Sequence, residues 1–563
     1  MASLNAAARA VGTGRHLWRP DGWALGVGLV SLLMALPILV VASYALHPGN
    51  EVWAHLVDTV LVDYITNSLL LAAGVGVGTL TIGVGTAWLT VMCEFPFRRN
   101  LAWLVLLPMA MPAYIIAYTY TGILEFAGPV QDTLRAWTGW QHGDYWFPPV
   151  RSLGGAIVML TLVLYPYIYL LARAAFIEQC VCVLEVARTL GLGPFAVFRR
   201  VALPLARPAI VTGLTLVLME TLADFGTVKY FGVSTFTTGI FRTWFGLGDQ
   251  AAAAQLSAVL LAFVFSLILL ERWSRRQRSY HHTGHAYQAL PTYHLQGARR
   301  YGATAACALP VLLGFAIPAG QLAVWSWQTA PAQLSGPFPQ LVANTVTLAG
   351  ITSVLAVALA LLLGYGRRLR RGALVRAAVR IAGLGYAVPG TVIAVGVIIP
   401  LAWLDNTIDG LSRDYLGLST GLILSGTLVA LVFAYLVRFL AVSLQTVEAA
   451  LTKVSIHVDD TARSLGATPM RLLRRLHLPL LRGSLFTAGL LVFVDVLKEL
   501  PATMILRPFD FNTLAVRTFE LASDEQLAAA APAALAIALT GIGPVVLLSR
   551  SIAHSRPGHR KHA

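Results

Sequence analysis

A series of apolar runs, each long enough to cross a bilayer as a helix, restricts the fold of this chain more than any other feature. Residues 23–46, 64–92, 251–270, 302–325 and 420–442 all reach the roughly 20 apolar residues that a spanning helix needs. The runs are continuous rather than alternating, which specifies helices and not barrel strands. Charged residues make up 12% of the chain and hydrophobic ones 57%. A soluble domain carries about twice that share of charge. The expected class is therefore an all-α integral membrane protein. Twelve spans are expected, near 23–46, 66–92, 101–124, 152–176, 208–230, 251–270, 302–326, 343–365, 378–402, 420–442, 483–505 and 527–549. Arg9, Arg15 and Arg19 precede the first run. That run is longer than the h-region of a signal peptide, about 7–15 residues, and ends without a clear cleavage site, so it reads as a retained helix.

The formal net charge is +15. Its distribution argues for membrane orientation and against a nucleic-acid partner. With the N-terminus inside and the spans alternating, 32 of the 41 Lys and Arg fall in inside segments, and the outside loops 47–63 and 328–342 hold none. This is the positive-inside rule. It places both termini in the cytoplasm. The basic residues are short loops flanking helices and not one continuous patch.

The chain also repeats itself. Residues 185–205 read EVARTLGLGPFAVFRRVALPL and residues 460–480 read DTARSLGATPMRLLRRLHLPL. At an offset of 275, ten of 21 positions are identical without a gap. Chance would give roughly two. The same offset pairs Glu220 with Asp495, Asp224 with Glu499, Arg242 with Arg517 and Asp249 with Asp524. Two homologous six-helix halves are expected, residues 1–275 and 301–563, joined by a basic cytoplasmic linker at 276–300. Both begin inside, so an axis along the membrane normal should relate them.

The repeated loop reads as two short helices and a turn. Glu185 with Arg188, and Asp460 with Arg463, are spaced for helical pairing. Gly191 and Gly466 suit the left-handed residue that ends a helix. Pro194 and Pro469 suit the first position of the next, with Thr468 as a cap. Leu203-Pro204 and Leu478-Pro479 are expected to stop that second helix. Two equivalent knobs on one face suggest a partner with two equivalent sockets.

Glu185, Ala187, Gly191, Leu203 and Pro204 together resemble the EAA loop of binding-protein-dependent ABC importer permeases, and Asp460, Ala462, Gly466, Leu478 and Pro479 repeat it. Asp460 replaces the Glu of that pattern, and Val186 and Thr461 replace its middle Ala. The whole chain is similar to the two-in-one ferric-iron permeases through 219–227, 236–240 and 495–503. Fused permeases for thiamine, polyamines and phosphonates are near relatives. The resemblance implies a type I (MetI-like) permease fold in a bacterial inner membrane and a solute, ferric iron first, delivered by a periplasmic or lipid-anchored binding protein. It also implies that both loops dock a homodimeric cytoplasmic ATPase, so no second permease is needed.

No Lys follows a Gly here, so the phosphate-cradling loop of an ATPase is missing from the sequence. This makes the chain a transport subunit and not an enzyme, with no cofactor of its own and ATP-Mg on the partner. Cys93, Cys180, Cys182 and Cys307 form no CxxC pair and read as small apolar residues. The histidines of 281–294 and 554–562 read as solvated, and no metal site is expected. Glu220, Asp224, Asp495, Lys498 and Glu499 fall inside spans, where a kept charge faces a bundle interior or cavity. The four-residue spacing puts Glu220 and Asp224 on one helix face, and Asp495 with Glu499 repeats it. These two pairs are candidates for a central path to a hard cation. The alternative is that they cap helix ends, bind the delivery protein, or pair internally, as Lys498 with Asp495 or Glu499. Arg173 and Arg438 are expected to snorkel or pair. A secondary transporter with two parallel halves would explain the duplication but not the two matched loops. A membrane enzyme finds no support in HExxH or GxSxG signatures.

Overall fold

A computed structural model describes residues 22–141, 143–177, 179, 185–187, 189–276, 292–333, 336–370 and 372–553, except the side chains of 275, 276, 332 and 548–553. Arg9, Arg15, Arg19, Cys180, Cys182, Arg188 with its pairing to Glu185, and the histidines of 281–285 and 554–562 lie outside the described residues. Among the described residues, eleven helices are long and apolar enough to cross a membrane, and a bent pair makes a twelfth span.

The first half contains α1 (Gly22–Tyr44), α2 (Leu61–Met92), α3 (Arg98–Leu104), α4 (Ala113–Leu124), α5 (Leu153–Ile177), α6 (Pro194–Ala223), α7 (Gly226–Tyr230) and α8 (Gln250–Arg276). The second half contains α9 (Ala298–Pro331), α10 (Phe338–Leu369), α11 (Ala373–Ala382), α12 (Gly390–Leu416), α13 (Leu428–Thr452), α14 (Ile456–Ser464), α15 (Pro469–Leu497), α16 (Pro501–Leu506) and α17 (Leu527–Ala553). Short helices at Glu51–Thr59, Pro129–Thr138, Phe236–Phe241 and Leu514–Ser523 fill connections.

Two expectations need correction. The spans at 101–124 and 378–402 are not single helices. Pro112 precedes α4 and Pro389 precedes α12. Proline lacks the N–H and collides with the carbonyl four residues back, so the helix must stop and restart there. In the first half the two pieces bend by 92°. Second, Pro204 and Pro479 do not stop their helices. One wider turn, Phe198–Ala202 in α6 and Leu473–His477 in α15, lets each helix pass its proline unbroken. The spans expected at 208–230 and 483–505 therefore begin further toward the loops, at Pro194 and Pro469, and end sooner, at Ala223 and Leu497. His294 is exposed to solvent, as expected. Cys93–Glu94 (β1) and Tyr293–His294 (β2) form a short parallel ladder, and the Leu295 N–H donates to the Glu94 carbonyl at 3.2 Å. Burial pushes the Cys93 thiol up to about 11, as expected for an inert apolar residue.

The halves exchange their first helices. α1 packs on α10, α11 and α12 of the other half and on α8. In mirrored fashion α9 packs on α2, α3 and α4, and on α17. Trp23 of α1 meets the Tyr365 ring edge-on at 5.3 Å. Tyr120 of α4 donates its hydroxyl to the Leu313 carbonyl of α9 at 2.7 Å. Each of the two apolar cores thus contains residues of both halves. α1 and α12 approach closely at Gly396, where a Cβ would collide with the Pro37 backbone carbonyl. Gly396→Val should therefore cost at least about 1–3 kcal/mol of stability by overpacking. In thermal unfolding of detergent-purified protein it should melt well below wild type. Gly350→Val, at a helical glycine facing open space, should melt as wild type does.

Candidate translocation cavity and docking loops

Helix breaks converge on one cavity of about 140 Å³. Its walls include Pro112 at the first break, Asp224 and Phe225 between α6 and α7, Tyr386 between α11 and α12, Lys498 to Leu500 between α15 and α16, and Pro501 at the start of α16. All four acidic candidates line it, but not on two helix faces. Glu220 and Asp495 lie within α6 and α15, whereas Asp224 and Glu499 lie just past their ends. The four-residue spacing fails because neither helix continues that far.

The break explains those carboxylates. A restarted helix exposes N–H groups that hydrocarbon cannot satisfy. Asp224 accepts from the Val228 N–H at 3.1 Å and the Thr227 hydroxyl at 3.0 Å. At the 275-residue offset, Glu499 accepts from the Thr503 N–H at 3.1 Å, the Ala502 N–H at 2.9 Å and the Thr503 hydroxyl at 2.7 Å. Both act as caps. Glu499, only 4% exposed, also pairs with Arg438 at 3.3 Å. Lys498 pairs with Asp495 at 2.9 Å. Arg438 therefore pairs rather than snorkels, while Arg173 lies 5.9 Å over the Tyr169 ring.

Glu220 is left over. Among the described residues it makes no hydrogen bond or ion pair, and it faces Lys498 and the phenols of Tyr167 and Tyr386 across the cavity. The buried hydroxyl of Tyr114, another wall residue, likewise lacks a partner. The cavity holds four carboxylates against two cations, Arg438 and Lys498. Toward the loops that carry Glu125 and Glu525, Arg151 joins both acids at 2.7 Å and so ties the two halves together.

The two candidate docking loops share one turn. Gly191 and Gly466 each have φ of 78°, the left-handed region open to glycine at no steric cost. Just past them, the Leu192 N–H reaches the Ala187 carbonyl at 3.1 Å and the Ala467 N–H reaches the Ala462 carbonyl at 3.0 Å. This six-to-one bond is the Schellman closure of a helix end. Ala187 is buried and Ala462 half-buried, while Glu185 and Asp460 point to solvent. Gly193 and Thr468 precede the next helices, and Thr468 accepts from the Arg471 N–H. Leu203, Pro204, Leu478 and Pro479 sit inside α6 and α15 without ending either helix, and both prolines are exposed.

The seats of these loops differ. The first is apolar and aromatic: Trp88 packs on Phe198 at 4.9 Å and on Tyr293 at 6.4 Å. The second rests on buried charge. Arg368 donates to Asp459 at 2.6 Å and to the Val454 carbonyl at 2.9 Å, and His477 Nε2 lies 3.1 Å from Asp459 without hydrogen-bond alignment. Sequence reasoning missed this cluster. Its signal was a local failure of the repeat, because Leu184, Ala202 and Cys93 stand at the offset positions of Asp459, His477 and Arg368.

Removing one member of a buried pair strands the other charge. Arg438→Met should therefore destabilise by about 3–5 kcal/mol. Arg438→Met with Glu499→Gln should recover part of that loss in the same unfolding measurement, because it removes the stranded charge while the one glutamine oxygen can still accept from either Ala502 or Thr503.

Residues 79–279 match the family described as binding-protein-dependent transport system inner membrane component. The chain is 27% identical over 541 residues to the Fe(3+)-transport system permease protein FbpB 2 of Haemophilus influenzae, covering 94% of this chain and 99% of that one. It is 26% identical over 204 residues to the molybdenum transport system permease protein ModB of Escherichia coli, 35% of this chain and 86% of the relative. It is 27% identical over 267 residues to the putative 2-aminoethylphosphonate transport system permease protein PhnU of Salmonella choleraesuis, 45% of this chain and 92% of the relative. The latter two are matched nearly whole by less than half of this chain, whereas the first runs its full length. The chain is accordingly a fused, multi-pass membrane permease, similar to the inner-membrane components of binding-protein-dependent ABC importers.

Proposed function

We propose that this permease imports ferric iron, handed over by a periplasmic or lipid-anchored binding protein, and that it is driven by a separate homodimeric cytoplasmic ATPase that carries ATP-Mg. The observation that carries the coupling is the pair of loops with the same left-handed turn at Gly191 and Gly466. Glu185, Ala187, Gly191, Leu203 and Pro204 form one socket-filling knob. Asp460, Ala462, Gly466, Leu478 and Pro479 form the other. One chain supplies both, through halves 1–275 and 301–563 joined by 276–300, so a symmetric ATPase dimer needs no second permease. The charge distribution favours a cytoplasmic position for these loops and both termini. Closing the ATPase dimer draws the loops together and tilts α6 and α15, which continue directly from them. The Arg151 link to Glu125 and Glu525 must open when the opposite end admits cargo.

The cargo reading rests on two supports. The relative matched along its full length transports Fe(3+) by its name. The cavity carries an excess of carboxylate, which favours a hard cation that takes oxygen ligands and disfavours a phosphonate anion. Thiamine and polyamine, also cations, remain the competing cargoes. Asp224 and Glu499 are committed to helix caps and Asp495 to Lys498, so Glu220 is the carboxylate left to meet the ion. The chain binds no metal or cofactor of its own in this scheme. The ion is cargo.

Two outcomes follow. In proteoliposomes with the ATPase and binding protein, Glu220→Gln should cut labelled ferric-iron uptake at least about tenfold, one lost charge contact of roughly 1.4 kcal/mol. The ATPase should still co-purify. Unchanged uptake would remove Glu220 from the path. Gly191→Val with Gly466→Val strains each turn by about 1–2 kcal/mol and should abolish ATPase co-purification. The matching Asn variants, which tolerate the left-handed turn, should retain it. Full retention by the valine variant would sink the docking assignment.

A further inference from the structure

A groove of about 360 Å³ opens between α8 of the first half and α11 of the second, lined by Phe265, Ile268, Leu269, Arg272, Arg380 and Ile381. Its apolar rim faces outward, with Leu269 64% and Ile381 43% exposed, as helix surfaces toward lipid are. Arg272 follows Glu271 at the end of the apolar stretch of α8, and the exposed Trp273 beside it marks the level of the membrane interface. Arg272 and Arg380 have no hydrogen bond, ion pair or ring contact among the described residues. Some other arginines at this end of the bundle do have acidic partners: Arg367 with Glu448, Arg368 with Asp459, and Arg98 with Glu94. Two guanidiniums that share an apolar-walled groove without a counter-charge repel each other and hold an incomplete site. The pair is also not a by-product of the duplication, since Val105 and Leu547 stand at the offset positions.

We propose that this groove binds one anionic phospholipid of the cytoplasmic leaflet. The phosphate sits between Arg272 and Arg380, where guanidinium forks match phosphate oxygens. An acyl chain runs along Phe265, Ile268, Leu269 and Ile381. A free phosphate would leave those apolar walls wet, and a zwitterionic lipid would leave the two cations uncompensated. Because α8 and α11 come from different halves, and α11 also seats the exchanged helix α1, the lipid bridges the halves along one flank only. The inference rests on the membrane helices and not on the cargo, so it stands or falls separately from the iron reading.

The test is native mass spectrometry of the delipidated full chain, titrated with phosphatidylglycerol, with phosphatidylcholine of the same acyl chains, or with inorganic phosphate. Wild type should retain one phosphatidylglycerol. At about 1 kcal/mol per basic residue near anionic lipid, R272Q and R380Q should each weaken that binding roughly fivefold, and the double variant roughly thirtyfold. R272K with R380K, which keeps the charge, should hold most of the affinity, and the single variants should melt as wild type does. Equal retention of phosphatidylcholine, unchanged binding in the folded single variants, or displacement of the lipid by inorganic phosphate at similar concentration would each overturn the proposal.

Discussion

A helix that breaks inside hydrocarbon must find partners for its freed N–H groups within the protein, and this permease meets that demand with carboxylates. Asp224 and Glu499 close the N-termini of α7 and α16 at equivalent points of the two halves. Without them the breaks would leave unsatisfied donors at a cost of several kcal/mol each. With them the chain can bend away from the bundle axis and leave a polar cavity. Their charge is offset unequally, by Arg438 at Glu499 and by hydrogen bonds alone at Asp224. The cavity, its sign and its single uncommitted carboxylate all follow from how those breaks are capped.

Much of this was legible in the sequence, for particular reasons. Long apolar runs give spans because hydrocarbon leaves the backbone little choice. The loop turns were legible because Gly191 and Gly466 sit where only a left-handed residue closes a helix, and Thr468-Pro469 carries its own start signal. What was not legible was where spans break. The 101–124 and 378–402 runs stay apolar through Pro112 and Pro389, so composition alone continues them. Asp224 and Glu499 read as face-sharing partners of Glu220 and Asp495 only while the helix is assumed unbroken. Pro204 and Pro479 misled in the opposite direction. Each looked like a stop, but a single wide turn absorbs the missing bond and keeps loop and membrane helix in one piece.

That continuity matters for coupling. With α6 and α15 running from the docking turns to the cavity breaks, a displacement of the loop is a displacement of the helix that carries Glu220 or Asp495. The two levers are not alike in their footing. The first is set on Trp88, Phe198 and the ladder with Tyr293, and the second on the buried Arg368–Asp459 pair. A duplicated chain is free to diverge in this way because one polypeptide always supplies both seats.

The central claim is that one chain presents both docking loops to one ATPase dimer. Its most direct test is the mass of the detergent-solubilised complex of this chain with its ATPase, formed with a non-hydrolysable nucleotide. The account predicts one permease chain with two ATPase subunits. A complex of two permease chains with two ATPase subunits, or of one with one, would contradict it.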